Sequence, residues 1–310
     1  MIARKHPGRW LLWGLALLPA LGMAKPDLSR KVGVTLAESG SAHYRFERFS
    51  LSSRDGQRHY RIDLAVPRRG APPGGYPVLY MLDGNAVLAA LREDWLAELD
   101  RHGPPLLVMI GYVSDRYFVP AARTYDYTPA ARSGAPLFDD PERQRPAGGA
   151  RVFRQLIETA IKPQVEARVA VNRQRQGLWG HSYGGLLVLD SLFNSPQSFQ
   201  SYVAVSPSLW WQSGLLLQDE RQLAADVRAR LLILRGGREA QPRPAAELPS
   251  QRARAMAAVP PDAPRQLAER LATQAGLRVE YREISGLEHG PMLPAAILPA
   301  LRLMTEENLP

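Results

Sequence analysis

The 310-residue sequence contains no cysteine. This absence excludes disulfide bonds, cysteine-ligated zinc, a cysteine nucleophile and lipid attachment at cysteine. No run of Lys and Arg is long enough to indicate a nucleic-acid-binding patch, so no nucleic-acid partner is expected. With 45% apolar and 22% charged residues, the composition is close to the globular average, which argues against wholesale disorder and against a membrane protein with many spans.

The first 24 residues have the three-part organisation of a cleavable secretory signal. A basic stretch ends at Arg9, an uncharged run extends from Trp10 to Met23, and small residues precede Lys25. The uncharged run is shorter than the roughly 20 residues that a membrane-spanning helix needs, so cleavage is favoured over an uncleaved anchor and no stable membrane insertion is expected. The sequence therefore predicts a mature chain that begins at Lys25 in an exported compartment, the bacterial periplasm.

Predicted strands alternate with predicted helices along the rest of the chain. Period-2 alternation on both sides of an Asp55-Gly56 turn signal, from Tyr44 to Glu47 and from Tyr60 to Val66, predicts an antiparallel hairpin. Short apolar runs then predict strands that are buried on both faces. These runs are Pro77 to Leu82, Leu106 to Gly111, Gly177 to Gly180, Tyr202 to Ser206, Leu231 to Leu234 and Val279 to Ile284. The helical stretches between them are Ala86 to Leu99, Val152 to Val165, Leu186 to Phe193 and Pro264 to Ala275.

This order of elements predicts an α/β fold with a mostly parallel sheet of about eight strands and helices on both faces. Two stretches interrupt the alternation: residues 132–150 are rich in Pro, Gly and charge, and residues 240–260 are rich in Ala, Arg and Pro. Each is interpreted as an insertion, a loop or a lid, because strand and helix units continue on both sides of it. One domain over residues 25–310 is expected.

The segment Gly180-His181-Ser182-Tyr183-Gly184-Gly185 follows a predicted strand and opens a predicted helix. Its Gly-x-Ser-x-Gly pattern is typical of a nucleophile elbow, a tight turn that lifts the serine hydroxyl above the edge of the sheet. The N-terminus of the next helix favours negative charge that develops nearby. Ser182 is therefore the candidate nucleophile, and the alternative is a structural turn with an inert serine.

A serine hydroxyl becomes a good nucleophile only when a base accepts its proton. His289 lies after the last predicted strand, where the α/β-hydrolase fold places its base, whereas His181 in the elbow would be in the wrong chain order. The acid should come from the loop that follows the strand Leu231 to Leu234, and Glu239 is the candidate. A Ser-His dyad, or Asp219 as the acid, are the alternatives.

Acyl transfer also needs N–H donors for the oxyanion of the tetrahedral intermediate. The backbone N–H of Tyr183 is one candidate, because it follows the nucleophile directly. The second is the N–H of Gly84 or Asn85, after a predicted strand and at the start of a predicted helix. An ordinary turn capped by Asp83 or Asn85 is the alternative, and both roles can hold because the donor is main chain.

Five segments resemble the putative esterase family of α/β hydrolases related to esterase D, and within it the periplasmic ferric-enterobactin and salmochelin trilactone esterases of Gram-negative bacteria. They are Tyr80-Met81-Leu82-Asp83-Gly84-Asn85, Arg123-Thr124-Tyr125-Asp126-Tyr127-Thr128-Pro129, Gly180-His181-Ser182-Tyr183-Gly184-Gly185, Ser206-Pro207-Ser208-Leu209-Trp210-Trp211 and Glu288-His289-Gly290. The resemblance covers most of the chain from about Tyr44 onward. It implies the α/β-hydrolase fold and hydrolysis of the trilactone backbone of a catecholate siderophore. That chemistry needs no metal or organic cofactor, since the iron arrives with the substrate.

A ferric catecholate substrate is a trianion that carries aromatic rings, so its pocket should offer cations and aromatic faces. The candidates are Arg123, Trp210 and Trp211, with a surface arginine and core tryptophans as the alternatives. The formal net charge of +9, or +6 without the signal segment, suits an anionic ligand. An exported carboxylesterase or acyltransferase for other acyl esters, and a non-catalytic siderophore-binding module, are the competing functions. A contact with an outer-membrane siderophore receptor is compatible with export, although no segment of the sequence marks one.

Overall fold

Ten strands carry the fold in the part of the chain that the computed structural model describes, which is residues 30–140, 144–218, 227–239 and 251–306. The predicted signal segment, Asp219 and residues 240–250 of the second predicted insertion lie outside the described residues. Within the described ranges, no helix has both the length and the apolar composition needed to cross a bilayer.

The strands and helices are numbered in chain order. The strands are β1 (Tyr44–Ser52), β2 (His59–Pro67), β3 (Tyr76–Leu82), β4 (Leu106–Tyr112), β5 (Leu137–Asp140), β6 (Arg145–Ala147), β7 (Val171–His181), β8 (Ser201–Val205), β9 (Ala229–Gly236) and β10 (Leu277–Ile284). The α-helices are α1 (Leu36–Ser39), α2 (Gly84–Ala90), α3 (Glu93–Asp100), α4 (Pro120–Tyr127), α5 (Ala150–Leu156), α6 (Lys162–Glu166), α7 (Tyr183–Asn194), α8 (Leu215–Gln218), α9 (Gln251–Ala257), α10 (Ala263–Leu271), α11 (Met292–Ala295) and α12 (Ile297–Thr305).

Eight strands form one sheet in the order β1-β2-β4-β3-β7-β8-β9-β10. The β1–β2 and β2–β4 pairs are antiparallel, and every other neighbouring pair is parallel. The opening hairpin lies at one edge, with Tyr44 opposite Pro67 and Ser52 opposite His59. This topology confirms the predicted fold class, a mostly parallel sheet of the α/β-hydrolase type.

Apolar side chains pack on both faces of this sheet. Phe153 of α5 and Leu189 of α7 belong to the core cluster on one face, whereas Leu88 of α2 and Leu301 of α12 belong to the cluster on the other. Every residue of β3 is buried, which explains why its sequence is continuously apolar rather than alternating. Helices cover both faces, as the sequence predicted.

The predicted helix from Ala86 to Leu99 is two helices. Leu91 and Arg92 are extended, with ψ of 139° and 142°, and they separate α2 from α3. Glu93 and Asp94 occupy the first turn of α3, where acidic residues interact favourably with the helix dipole. The two acidic residues thus mark the start of a second helix inside the stretch that the apolar pattern predicted as one helix.

The predicted helix from Val152 to Val165 is also not uniform. A π-helical turn over Ile157–Ile161 separates α5 from α6, and the Lys162 N–H bonds to the carbonyl of Ile157. Pro163 follows, and a proline removes a backbone donor and crowds the preceding turn of an α-helix. The wider turn therefore accommodates Pro163 without ending the helical path.

The first predicted insertion, residues 132–150, is not simply a loop or a lid. It contains the small antiparallel hairpin formed by β5 and β6, followed by the start of α5. Asp139 of this hairpin forms an ion pair with Arg145 at 3.2 Å. Prolines at positions 136, 141 and 146 interrupt the alternation of apolar and polar residues, so the sequence pattern did not predict these short strands.

Two neighbouring glycines before β3 differ in what surrounds them. Gly74 and Gly75 both have φ of 90°, but a Cβ on Gly75 would lie 2.4 Å from the carbonyl carbon of Val171, whereas nothing approaches a Cβ on Gly74 more closely than 4.0 Å. Both Gly→Ala substitutions carry a backbone cost of about 1–3 kcal/mol. Only Gly75→Ala must also displace the start of β7.

We therefore expect Gly75→Ala to lower the free energy of unfolding by about 2 kcal/mol more than Gly74→Ala. Urea denaturation followed by circular dichroism measures both values, and Gly74→Ala is the matched control. Equal losses in the two variants would contradict the close approach of β7.

Candidate active site

Ser182 lies in a strained turn between β7 and α7. Its backbone has φ of 61° and ψ of −115°, which a residue with a side chain adopts rarely. The Ser182 N–H donates to the carbonyl of Val205 at 2.9 Å, and the Ser182 carbonyl accepts from the N–H of Leu186 at 3.0 Å. These bonds hold the turn in the conformation of a nucleophile elbow.

The glycines of the elbow are required by close contacts. A Cβ on Gly180 would lie 2.4 Å from the carbonyl carbon of Gly184. A Cβ on Gly185 would lie 2.8 Å from the carbonyl oxygen of Val205. Both distances are too short for a real side chain, which explains why the sequence has glycine at these places around Ser182.

The structure brings the three predicted relay residues together. His289 Nε2 lies 3.0 Å from Ser182 Oγ, and His289 Nδ1 lies 3.2 Å from Glu239 Oε2. His289 is on the segment between β10 and α11, and Glu239 follows β9. The order along the relay is hydroxyl, imidazole and carboxylate, which is the geometry that activates a serine.

The carboxylate of Glu239 is held in its ionised form. Burial opposes ionisation, but hydrogen bonds from His289, the Ser206 hydroxyl and the Gly236 N–H outweigh it, so the pKa of Glu239 is lowered. The Gly236 N–H lies 3.0 Å from Glu239 Oε1, and Ser206 Oγ donates to the same oxygen. Because an ionised carboxylate only accepts, the His289 Nδ1 carries the proton that it shares with Glu239.

His181 supports the base from inside the elbow. Burial, with a smaller contribution from His289, lowers the pKa of His181 well below its usual value, so this imidazole is neutral. His181 Nε2 lies 2.9 Å from the carbonyl oxygen of His289, to which it donates, and the two ring centroids are 4.7 Å apart. His181 thus fixes the backbone that carries His289.

The candidate oxyanion donors lie at two adjoining helix starts. Tyr183 is the first residue of α7 and Gly84 is the first residue of α2, so neither N–H has an acceptor within its own helix. The two turns are in contact, because a Cβ on Gly184 would lie 3.5 Å from the Cβ of Leu82. The Asn85 side chain has a separate structural role, since its Nδ2 lies within hydrogen-bond distance of three carbonyls at the end of β4 and in the segment that follows it. The oxyanion roles of Tyr183, Gly84 and Asn85 stay predictions.

Arg123 lies under the rim of the site and not in open solvent. Its guanidinium forms two 2.9 Å hydrogen bonds with the carboxylate of Asp83, and its side chain is 14% exposed. The same guanidinium lies over the rings of Phe118, Tyr127 and Tyr183 at 5.3 to 5.6 Å. Arg123 therefore stabilises the turn after β3. Its guanidinium is already paired with Asp83, and its contact with substrate stays a prediction.

An aromatic and cationic cleft lies next to the elbow. The Tyr183 ring is 5.6 Å from the rings of both Trp210 and Trp211, and Trp211 Nε1 donates to the carbonyl of Pro129. Both tryptophans line an open cleft of about 170 Å³, and Trp211 is buried whereas Trp210 is half-buried. Arg252 of α9 is exposed and lies 4.7 Å over the Trp210 ring.

The hairpin of the first insertion fixes one wall of this cleft. The Tyr183 hydroxyl donates to Asp139, and Phe138 next to it lines the cleft with Arg254. Residues 251–260 of the second insertion supply the cations. Sequence reasoning missed Arg252, because composition does not show which arginine of an insertion returns to the site.

The described residues contain no cluster of three or more His, Asp or Glu that could hold a metal ion. The chemistry that the site does offer is nucleophilic attack by an activated hydroxyl, with a base, a fixed carboxylate and main-chain donors around it. This fold and this site define a serine hydrolase of the α/β-hydrolase class.

The chain belongs to the putative esterase family, whose family model matches residues 53–257. It is 50% identical over 186 residues to the apo-salmochelin esterase of Escherichia coli O6:H1, an alignment that covers 60% of this chain and 58% of that protein. It is 34% identical to the ferri-bacillibactin esterase BesA of Bacillus subtilis over 84% of this chain and 89% of that protein. The solved structure of the enterobactin and salmochelin hydrolase IroE matches with a TM-score of 0.71 and 37% identity over 88% of this chain and 99% of that one.

The catalytic importance of the contact between Glu239 and His289 distinguishes a Ser-His-Glu triad from a Ser-His dyad. We expect Glu239→Gln to lower kcat for p-nitrophenyl acetate by about 100-fold to 10,000-fold, because an amide can stabilise the wrong imidazole tautomer and no longer carries the charge that stabilises imidazolium. Steady-state kinetics measures the change. The matched control is Glu288→Gln, the same substitution at the exposed residue next to His289. A Glu239→Gln variant with nearly full activity would favour the Ser-His dyad.

Proposed function

We propose that the protein is a periplasmic serine esterase that hydrolyses the trilactone ester bonds of a catecholate siderophore, ferric enterobactin, and so helps to release its iron. The observation that carries this proposal is the Ser182–His289–Glu239 relay beside the cleft of Trp210 and Arg252. The activities for which the relatives are named, on salmochelin, bacillibactin and enterobactin, support the same substrate class.

In the proposed reaction, the Ser182 hydroxyl attacks an ester carbonyl while His289 Nε2 takes its proton. The N–H groups of Tyr183 and of Gly84 or Asn85 stabilise the oxyanion that forms. Collapse of this intermediate breaks the ester C–O bond, and the departing serine oxygen of the substrate takes the proton from His289. Water then attacks the acyl-enzyme with His289 as the base, which frees the carboxylic acid and restores the Ser182 hydroxyl.

The cleft fits the charge and the rings of such a substrate. A guanidinium held over an indole presents positive charge beside an aromatic face: the guanidinium attracts the anionic oxygens of a catecholate, and the indole can pack against its ring. Arg254 lines the same cleft and adds a second cation. The Tyr183 ring connects this cleft to the nucleophile, because Tyr183 directly follows Ser182 and contacts Trp210.

Export to the periplasm is proposed from the signal-like N-terminal segment, residues 1–24. A ferric siderophore that has crossed the outer membrane would meet the enzyme in that compartment. A transient contact with an outer-membrane siderophore receptor would shorten this path and belongs to the proposal.

Loss of the nucleophile should separate catalysis from binding. We expect Ser182→Ala to lower the rate of ferric enterobactin linearisation by at least about 1,000-fold. Binding, followed by tryptophan fluorescence, should change little, because the cleft residues remain. Mass spectrometry identifies the products. An unchanged rate in Ser182→Ala would show that Ser182 is not the nucleophile. If the parent protein bound ferric enterobactin but released no product, it would be a non-catalytic binding module. If the parent protein preferred long acyl esters, it would be a general carboxylesterase.

The cation over Trp210 should act on affinity for the charged substrate. We expect Arg252→Ala to raise KM for ferric enterobactin about threefold to tenfold with little change in kcat, since it removes one cation–π pair and one charge. Turnover of the neutral p-nitrophenyl acetate should not change. The control is Arg69→Ala, an exposed arginine in the β2–β3 connection at the opposite end of the sheet. Equal effects of the two arginine substitutions would contradict a specific subsite.

A further inference from the structure

The segment that follows β8 contacts both ends of the catalytic relay. Ser206 Oγ donates to the carboxylate of Glu239. Two residues later, Ser208 lies against the nucleophile: Ser208 N–H donates to the Ser182 carbonyl at 3.1 Å, and Ser208 Oγ lies 3.2 Å from Ser182 Oγ. Ser208 is 1% exposed, so its hydroxyl is removed from bulk solvent.

The direction of the bond between the two hydroxyls follows from the rest of the relay. The ionised Glu239 accepts the hydrogen bond from His289 Nδ1. In the neutral form that His289 must have to act as the base, its one proton is therefore on Nδ1 and Nε2 has a lone pair. The hydrogen between Ser182 Oγ and His289 Nε2 must therefore be that of Ser182. Since Ser182 has no second hydrogen, the bond between the two serines is donated by Ser208 and accepted by Ser182.

We propose that Ser208 is a further catalytic residue, whose hydroxyl donates to the reacting oxygen of Ser182. This inference rests on the serine mechanism described above, but not on the identity of the ester. The bond fixes the Ser182 side chain with one lone pair toward Ser208, its hydrogen toward His289 and the other lone pair toward the substrate. Ser208 keeps its own proton throughout, so no additional co-reactant is needed.

The bond strengthens at the two moments when negative charge develops on Ser182 Oγ. During acylation, the O–H bond of Ser182 breaks toward His289 while the C–Oγ bond forms. During deacylation, the C–Oγ bond breaks and Ser182 Oγ leaves before it regains its proton from His289. A hydrogen bond to a charged oxygen is roughly twice as strong as one to a neutral oxygen, whereas the ester oxygen of the acyl-enzyme is a poor acceptor.

The backbone around the two serines is built for this contact. A Cβ on Gly185 would lie 3.1 Å from the Cα of Pro207, so the second glycine after the elbow allows the Ser206-Pro207-Ser208 segment to approach α7. The Ser206-Pro207-Ser208 segment and the Gly184-Gly185 pair therefore contact each other, and the small size of Gly185 allows that contact.

The test uses Ser208→Ala and Ser208→Cys in the full chain, with p-nitrophenyl acetate and an organophosphate as probes. A dialkyl fluorophosphate is the organophosphate used, and it isolates the first step: the Oγ–P bond forms, the Ser182 proton passes to His289, the P–F bond breaks with loss of fluoride, and no deacylation follows. We expect Ser208→Ala to lower kcat for p-nitrophenyl acetate and the rate of phosphorylation about tenfold or more, a factor that corresponds to about 1.4 kcal/mol, with KM unchanged. Ser208→Cys keeps the volume but supplies a weak donor, and an intermediate rate is expected.

Ser191→Ala is the control, since Ser191 is equally buried and lies in the body of α7. Circular dichroism confirms the folding of each variant, and the cysteine variant decides the question if the alanine variant does not fold. Rates within twofold of the parent protein in either Ser208 variant, or a loss that lies only in KM, would overturn the proposal. Because neither probe is a siderophore, a protein that fails to cleave enterobactin but shows the Ser208 effect would refute the proposed substrate and leave this inference standing.

Discussion

The site depends on one backbone constraint, the turn at Ser182 with φ of 61° and ψ of −115°. Such a conformation costs about 1–3 kcal/mol, which surrounding bonds must offset. The offset comes largely from β8 and the segment after it, because Val205 accepts the Ser182 N–H and Ser208 donates to the Ser182 carbonyl. Gly185 makes that approach sterically feasible. The turn is therefore stabilised by a neighbouring strand and not by its own helix alone.

The surroundings of Glu239 and His181 keep the charge of each constant during the proposed reaction, so His289 is the group of these three that gains and loses a proton. Glu239 stays ionised because three donors surround it, and His181 stays neutral because it is buried beside His289. The lowered pKa of Glu239 also links folding to pH. Its contribution to stability is present above the pKa of the unfolded chain and is lost as the pH falls through the lower pKa of the folded state. Acid would therefore weaken the β9 loop and the relay together.

The sequence predicted the sheet and the relay because their signals are local or ordered along the chain. Apolar runs mark buried strands, glycines mark the elbow, and the order of Ser182, Glu239 and His289 follows the hydrolase pattern. The roles of Ser206 and Ser208 could not be predicted, because they depend on β8 lying between β7 and β9 in the sheet. For the same reason, sequence placed Arg123 at the rim but could not show its pairing with Asp83, forty positions earlier in the chain. These contacts join segments that are distant in the sequence, so the local pattern of residues does not indicate them.

The relay and the neighbouring aromatic cleft are formed by different parts of the chain. The relay is carried by segments at the ends of β7, β9 and β10, which the sheet holds in fixed relative positions. The cleft is completed by the two insertions, since Asp139 of the first fixes Tyr183 and Arg252 of the second lies over Trp210. An insertion can change its charge or shape without disturbing the strained turn, because its contacts reach the rings and not the elbow backbone. The strained turn and the cleft can therefore vary independently: a change in either insertion would alter the charge or the shape of the cleft and leave the relay in place.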